Sequence, residues 1–326
     1  MPENELCAVY VDTGTTNSRV WLMRGDEILA KADAHVGVRD TAKDGSPVRL
    51  RSALRELIEN VRTKSEALPV CVAAAGMITS SLGLAEVPHL AAPAGIAELA
   101  AATRSHNFPD VTDLPVWLVP GVKSGQMPCE LPTAAVADLM RGEETLCAGL
   151  VLTGLAKTPA TVLNLGSHWK AIRLDAEGRI AASVTSLAGE LVYAAQTQTI
   201  LASAVPHERL TEVNFDWLEA GMRQQRQAGL SRALFCVRLL EQSKQGSAED
   251  RLNFLIGAFI ADDLDALSAR GVLSDSVVIV GSGALAEAWR YALTQAEIQS
   301  QIITGEQSER ALLAGLCSIT SIALQN

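Results

Sequence analysis

The strongest constraint on the fold of this chain is a local plan that occurs twice. Near the start, Cys7-Ala-Val-Tyr-Val11 reads as an apolar strand, Asp12 to Asn17 as a polar glycine turn and Arg19 to Met23 as a second strand. A tight turn at Gly25-Asp26 then leads into Glu27 to Ala32. Beyond Pro159 the plan returns. Val162-Leu-Asn-Leu-Gly-Ser-His-Trp-Lys-Ala-Ile172 repeats Tyr10-Val-Asp-Thr-Gly-Thr-Thr-Asn-Ser-Arg-Val20: an apolar strand, Asp or Asn, one residue, Gly, a hydroxyl residue and another strand. The second copy has its own strand-turn-strand sequel through Asp175-Ala-Glu-Gly178 to Ile180. Each hairpin needs a sheet to join, so the economical reading is a duplicated α/β domain.

Length agrees, since 326 residues exceed what one hydrophobic core usually serves. We expect domains over 1–155 and 156–326, joined by a helix from about Met140 to Leu155 and the linker Lys157-Thr158-Pro159. With 48% hydrophobic but only 4% aromatic residues, both cores must be packed from Ala, Val, Ile and Leu. In the first half, Ser46-Pro47 reads as an N-cap with proline at the first helical position, ahead of an apolar face of Leu50, Leu54, Leu57, Ile58 and Val61. Val70 to Ala75 and Val116 to Val119 read as strands that deliver loops at Gly76 and Pro120-Gly121. In the second half, Arg251 to Leu267 and Ala284 to Leu293 read as helices, Val277 to Val280 and Gln301 to Ile303 as strands, and Ser308 as the cap of a last helix to Ile322.

The net charge of -10 carries no run of Lys or Arg, which argues against nucleic acid or an anionic membrane as partner. Cys7, Cys71, Cys129, Cys147, Cys236 and Cys317 lie far apart, mostly in apolar runs without metal-ligand spacing, and read as buried free thiols of a reducing compartment. Met1 to Leu6 is polar and acidic, unlike a signal peptide, and no apolar run approaches the ~18 residues a membrane span needs. The expected location is the cytoplasm. Subunit number is not legible, and a homo-oligomer stays open.

A hairpin turn of Gly14, Thr15 and Thr16 brings backbone N–H groups and hydroxyls close to a ligand, which suits phosphate oxygens. Asp12 at the strand end is placed to hold Mg²⁺, whose sites in phosphoryl transfer use one or two carboxylates plus phosphates. Taken singly, the hexapeptide is equally an ordinary β-turn, and the second copy at Asn164 to Lys170 favours the phosphate reading. Two such loops across a cleft would clamp the phosphates of ATP. The second copy replaces the acid with Asn164 and adds Gly166, Ser167, His168 and Lys170. Lys170 would offset phosphate charge or meet a substrate carboxylate, and His168 is open between phosphate donor, substrate donor and structural residue.

Gly281-Ser-Gly283-Ala-Leu-Ala286 follows a strand and opens a helix, as a dinucleotide fingerprint does. A dehydrogenase reading would leave both glycine hairpins unexplained and has too little chain after it for a βαβαβ half. Contact of Gly281, Ser282 and Gly283 with the adenosine part of ATP fits better. An acceptor hydroxyl needs a carboxylate to take its proton, and Arg141-Gly142-Glu143-Glu144-Thr145 offers Glu143 and Glu144. The helix dipole alone would also favour acids there.

These residues resemble the actin, hexokinase and heat-shock-chaperone ATPase superfamily. Within it they are similar to the 2-dehydro-3-deoxygalactonokinase (2-keto-3-deoxygalactonate kinase) family through Asp12-x-Gly14-x-x-Asn17-x-Arg19, Ala75-Gly76-Met77, Val87-Pro88-x-Leu90 and Val119-Pro120-Gly121. Met140-Arg141-Gly142-Glu143-Glu144-Thr145, Gly166-Ser167-His168-x-Lys170 and Gly189-Glu190-Leu191 complete the set. The resemblance implies two ribonuclease-H-like (actin-like ATPase) domains around a cleft. It also implies ATP, with Mg²⁺, as phosphoryl donor to O6 of 2-dehydro-3-deoxy-D-galactonate in galactonate catabolism. It selects Glu144 as base with Glu143 open, and expects substrate contacts from Asn17, Arg19, Arg39, Gly76 and Met77, with an Arg or Lys on the carboxylate. Two residues depart from the pattern: Thr79 stands where a glycine is expected, which crowds the substrate loop, and Trp169 stands where a small residue is expected. Other readings are a kinase for another small sugar or sugar acid, or a nucleotide-dependent binding module. The latter needs a peptide-binding appendage, for which little chain follows the last helix.

Overall fold

The computed structural model describes residues 6–325, so the reading of the first five residues lies outside it. The chain divides into two compact units. Met1–Leu155, Gly178–Ala181 and Ser308–Asn326 form one, and Ala156–Glu177 with Ala182–Gln307 forms the other.

In chain order the first unit carries β1 (Cys7–Thr13), β2 (Ser18–Arg24), β3 (Glu27–Ala34), α1 (Val38–Asp44), α2 (Val48–Thr63) and β4 (Val72–Gly76). There follow β5 (Leu90–Ala91), α3 (Ile96–Ala102), β6 (Arg104–His106), β7 (Val116–Leu118), β8 (Val122–Ser124), β9 (Asp138–Met140) and α4 (Glu143–Leu152). Its main sheet runs β3-β2-β1-β4-β7-β6, with β1 antiparallel to β2 and parallel to β4; β5-β8-β9 form a small second sheet. Because β1 is central, its Ala8, Val9, Tyr10 and Val11 are all buried, so the strand reads as an unbroken apolar run. Val9 and Val11 pack with Leu50, Leu54, Ile58 and Val61 of α2. Each such side chain contributes about 1.5–3 kcal/mol when fully buried.

The second unit carries β10 (Ala160–Leu165), β11 (Trp169–Leu174), β12 (Ile180–Ser186), α5 (Ala188–Gln198), α6 (Phe215–Ala228), α7 (Leu230–Gln242) and α8 (Ala248–Ala269). β13 (Ser276–Val280), α9 (Gly283–Gln295) and β14 (Gln299–Ile303) complete it, and α10 (Gly305–Ala323) runs on into the segment that belongs to the first unit. Its sheet order is β12-β11-β10-β13-β14, with β10 antiparallel to β11 and parallel to β13. The order 3-2-1-4 is therefore shared by both sheets, continued by β14 in the second and by β7 and β6 in the first, which is the ribonuclease-H-like arrangement that the resemblance implied. The second sheet holds a single β13-α9-β14 crossover rather than a βαβαβ half, so the dehydrogenase alternative is set aside.

Several expected boundaries are corrected. Met140 belongs to β9, paired with Val122, so α4 starts at Glu143 rather than at Met140. The last helix starts at Gly305, not after a Ser308 cap. The Thr304 N–H donates to Gln307 Oε1 (2.8 Å) and the Gln307 N–H to Thr304 Oγ1 (3.1 Å), a reciprocal cap one turn earlier. Pro47, not Ser46, occupies the N-cap of α2. Cys129 is exposed, against the expectation of buried thiols.

Helices cross on glycine in each unit. A Cβ on Gly149 of α4 would lie 1.6 Å from the Ala311 carbonyl oxygen of α10, and one on Gly315 would lie 2.0 Å from that of Thr145. In the second unit, Gly221 of α6 and Gly257 of α8 meet the Phe254 and Leu218 carbonyls at 1.9 and 2.1 Å. Backbone contact this close admits no side chain. Gly149→Val is accordingly expected to destabilise the protein by about 3 kcal/mol in denaturant unfolding. Gly305→Ala, with nothing within 4 Å of its Cβ position, should change stability by less than about 0.5 kcal/mol.

Candidate active site

The turn between β1 and β2 is closed by the Gly14 N–H on Asn17 O (2.9 Å) and by the buried pair of Thr13 Oγ1 and Ser18 Oγ (3.1 Å), with Ser18 Oγ donating to Val36 O (2.8 Å). The first turn of α1 docks on it. The Val38 and Arg39 N–H groups donate to Gly14 O (3.3 Å) and Thr15 O (2.9 Å), and a Cβ on Gly37 would meet Thr15 at 2.5 Å. Asp40 Oδ2 caps the Gly37 N–H (3.0 Å), which holds its carboxyl below the ordinary carboxylate range. Asn17 Oδ1 meets His35 Nδ1 (2.6 Å), and the Arg39 side chain is exposed. Arg19 pairs with Asp12 Oδ2 through Nη2 (2.6 Å) and Nε (3.2 Å) while lying over the Trp21 ring.

Asp12, one residue before the end of β1, lies beside Gly76, the last residue of β4. Gly76 has φ +85°, and a Cβ there would stand 2.7 Å from Thr13 O and 3.0 Å from Asp12 Oδ1. Gly142, φ +109°, would place a Cβ 3.3 Å from Gly76 Cα. Only glycine lets the chain before α4 approach the ends of β1 and β4 this closely. Both carboxylate oxygens of Glu144 accept the Gly142 N–H at 2.8 Å, and Thr145 Oγ1 donates to Gly142 O (2.8 Å), so the first turn of α4 is fixed on that glycine. Glu144 is fully buried and Glu143 half-buried. Met77 begins a single 3-10 turn, Met77–Thr79. Thr79 turns inward, fully buried, with its hydroxyl on Gly76 O (3.1 Å).

Asp12, Gly14, Thr15, Thr16, Asn17, Arg19, Gly76, Gly142 and Glu144 thus gather at the carboxyl ends of β1 and β4, where α/β sheets bind ligands. Among the described residues no group of three or more His, Cys, Asp or Glu side chains is arranged to hold a metal. Asp12 alone, with Oδ2 on Arg19 and Oδ1 toward Gly76, fits Mg²⁺, which takes one or two carboxylates and fills its shell with water and phosphate.

In the second unit Asn164 faces Lys170 and Leu165 faces Trp169 across β10 and β11, leaving Gly166, Ser167 and His168 as the turn. A Cβ on Gly189, in the first turn of α5, would meet Ser167 O at 2.4 Å, as Gly37 does beneath the first hairpin. His168 Nε2 bonds Glu190 Oε1 of α5 (3.0 Å). Lys170 is buried on its strand, and Trp169 is a core residue set edge-on to Trp289, which accounts for its size. Gly281 follows β13 against Leu165, and Ser282 is the extended N-cap of α9. Gly283, at φ +68°, has nothing within 4 Å of its Cβ position. The glycine turn after β13 therefore adjoins the end of the second hairpin. Sequence reasoning placed neither Gly37 nor Gly189 beneath the hairpins and quoted Gly189 only within a family motif; the signal was their spacing, each about twenty residues after its hairpin.

A family model described as 2-keto-3-deoxy-galactonokinase matches residues 12–319. Two curated relatives align over nearly their whole length. Probable 2-dehydro-3-deoxygalactonokinase DgoK1 of Rhizobium meliloti (strain 1021) is 28% identical over 93% of this chain and 94% of that protein. The 2-dehydro-3-deoxygalactonokinase of Escherichia coli (strain K12) is 26% identical over 95% and 96%. A crystal structure of a candidate 2-dehydro-3-deoxygalactonokinase from Sinorhizobium meliloti superposes with a TM-score of 0.77 at 26% identity, over 96% of this chain and 97% of that one. Among the described residues no helix is long and apolar enough to cross a membrane.

Beneath the second hairpin, Asp263 of α8 accepts from Ser186 Oγ (2.5 Å), which in turn accepts the Ala188 N–H at the start of α5 (3.3 Å). Burial pushes the Asp263 carboxyl up to about 6, against the Ser186 bond that lowers it, with Asp262 adding to the rise. A folded value above the unfolded one near 3.8 means that the folded state binds the proton more tightly. Its contribution is full below about pH 4 and is lost as pH rises through about 6, to the extent of roughly 2–3 kcal/mol. Asp263→Asn should flatten the pH dependence of unfolding free energy between pH 4 and 7 relative to the parent.

Proposed function

From the premise that the chain belongs to the 2-keto-3-deoxy-galactonokinase family and is a sugar-acid kinase, we propose that it transfers the γ-phosphoryl group of ATP to O6 of 2-dehydro-3-deoxy-D-galactonate, in galactonate catabolism. The observation that carries the reading is the meeting of Asp12, Gly76, Gly142 and Glu144 at the ends of β1 and β4, where two carboxylates are held by different partners. The sheet-end glycines let main chain meet main chain around the two carboxylates, and the hydroxyls and N–H groups of Thr15 and Thr16 suit phosphate oxygens, the Gly14 N–H being taken by Asn17 O.

In this mechanism Glu144 accepts the proton of the O6 hydroxyl as that oxygen bonds to the γ-phosphorus, while the bond from phosphorus to the β-phosphate oxygen breaks and ADP leaves. Gly142 fixes the carboxylate so that no reorientation is needed at the moment of transfer. Asp12 would hold Mg²⁺, which when bound supplies neutralisation of phosphate charge. Gly14, Thr15 and Thr16 take phosphate oxygens. Gly166, Ser167, His168 and Lys170 of the second hairpin do the same, with Gly281, Ser282 and Gly283 toward the adenosine. Asn17, Arg19, Arg39, Gly76 and Met77 face the sugar acid. Glu143 is the alternative base.

A coupled ADP assay with Mg-ATP over a panel of aldonates, 2-keto-aldonates and hexoses tests this. Turnover is expected with 2-dehydro-3-deoxy-D-galactonate above all others, and the reading fails if nothing in the panel stimulates ADP release. In the same assay Glu144→Gln, which keeps the cap on Gly142, should lower kcat about 10²-fold with KM little changed, and Glu143→Gln should not. The reverse ranking would move the base to Glu143.

A further inference from the structure

Arg141 stands immediately before Gly142, next to the corner just described, and the charges of Glu144 and Glu86 counter its own only in part. It is half-buried, and among the described residues no carboxylate is ion-paired to it. Three neutral acceptors orient the guanidinium instead. Nη1 donates to Thr79 Oγ1 (2.8 Å), and Nη2 donates to Val87 O (2.8 Å) and to His89 Nδ1 (3.3 Å). Because a guanidinium only donates, the His89 bond requires the Nδ1 lone pair, which puts the ring proton on Nε2. Thr79 is doubly engaged, since its hydroxyl also donates to Gly76 O. The side chains meet over Gly121, where a Cβ would stand 2.6 Å from Arg141 Cγ and 2.8 Å from His89 Cδ2. Thr79, Val87, His89 and Gly121 together hold the guanidinium in a set direction.

Burial weakens the Arg141 guanidinium's hold on its proton, and the charges of Glu144 and Glu86 only partly counter this. Arginine stays charged all the same, so a half-buried guanidinium without an ion-pair partner is a standing electrostatic cost. Among the described residues its Nε has no hydrogen-bond partner, and it is not one of the buried unsatisfied atoms, so that N–H reaches solvent. Of the arginines named above, Arg19 is committed to Asp12, and Arg39 is exposed.

We infer that Arg141 is the residue that recognises the carboxylate of the sugar acid, oriented by Thr79, Val87 and His89. The inference rests on the sugar-acid kinase reading above, and it makes Arg141 a specificity residue rather than part of the phosphoryl-transfer machinery. A carboxylate at the Nε–H would supply the missing counter-charge through a charge-assisted hydrogen bond. Thr79, which departs from the family pattern, then acts as a positioning residue.

The test compares 2-dehydro-3-deoxy-D-galactonate with its uncharged C1 amide in the parent and in Arg141→Gln. The parent should prefer the acid in kcat/KM by about 10²-fold, a typical size for one charge-assisted contact. Arg141→Gln should lose most of that preference, because the acid becomes worse while the amide changes by less than about threefold and KM for ATP is unaltered. Arg141→Lys should recover part of the preference. Equal losses for acid and amide, with the parent's ratio kept, would show a structural staple and overturn the inference. If Arg141→Gln does not fold, Thr79→Val decides: KM for the acid must rise severalfold while that for the amide and ATP stays, and a uniform effect refutes it. A parent that phosphorylates no sugar acid brings down the kinase reading as well, an outcome distinct from a parent that works and a variant that keeps its discrimination.

Discussion

The first unit depends on the close backbone approach of Gly76 to the end of β1 on one side and to Gly142 on the other. With a Cβ position 2.7 Å from Thr13 O, position 76 accepts no side chain, and its φ of +85° excludes most residues independently. Around that contact Asp12 stands one residue before the end of β1, Thr79 hangs from the Gly76 carbonyl, and Gly142 brings the N-terminus of α4 with Glu144. The chemistry proposed here needs a metal-binding carboxylate and a proton-accepting carboxylate near one another without a direct pair between them. A glycine spacer of main chain provides that separation while keeping both rigid.

The duplicated plan gives the second unit the same scaffold with a different charge pattern. Both hairpins rest on a glycine in a following helix start, Gly37 or Gly189, and both lie beside a parallel strand that ends in a glycine loop. In the first hairpin the acid Asp12 is neutralised by Arg19 on the facing strand; in the second the corresponding cross-strand pair is Asn164 and Lys170. One scaffold therefore carries an acid-guanidinium pair in one copy and an amide-ammonium pair in the other, the difference on which the proposed roles of Asp12 and Lys170 rest.

The hairpins and the glycine turn after Val280 were legible because they are local: apolar runs, Gly and hydroxyl residues specify them within a dozen positions. The helix Val38–Asp44 was not, since seven residues with Val38 as the chief apolar anchor carry no periodic signal. The start of α10 was misjudged because Ser308 looked like a cap, whereas Thr304 and Gln307 cap each other. Thr79 and Trp169 read as departures from a pattern. Thr79 bonds Arg141, 62 positions away, and Trp169 packs on Trp289, so their fit depends on contacts that sequence spacing does not reveal. The tie between Arg141, Val87 and His89 is hidden for the same reason.

In the proposed division of labour between the two hairpins the metal falls to Asp12. Titrating magnesium against turnover, at saturating sugar acid, in the parent protein and in Asp12→Asn tests it most directly. The account predicts at least a tenfold weaker apparent magnesium affinity in the variant, roughly the loss of one ligand charge, with KM for the sugar acid held. An unchanged magnesium dependence would contradict it.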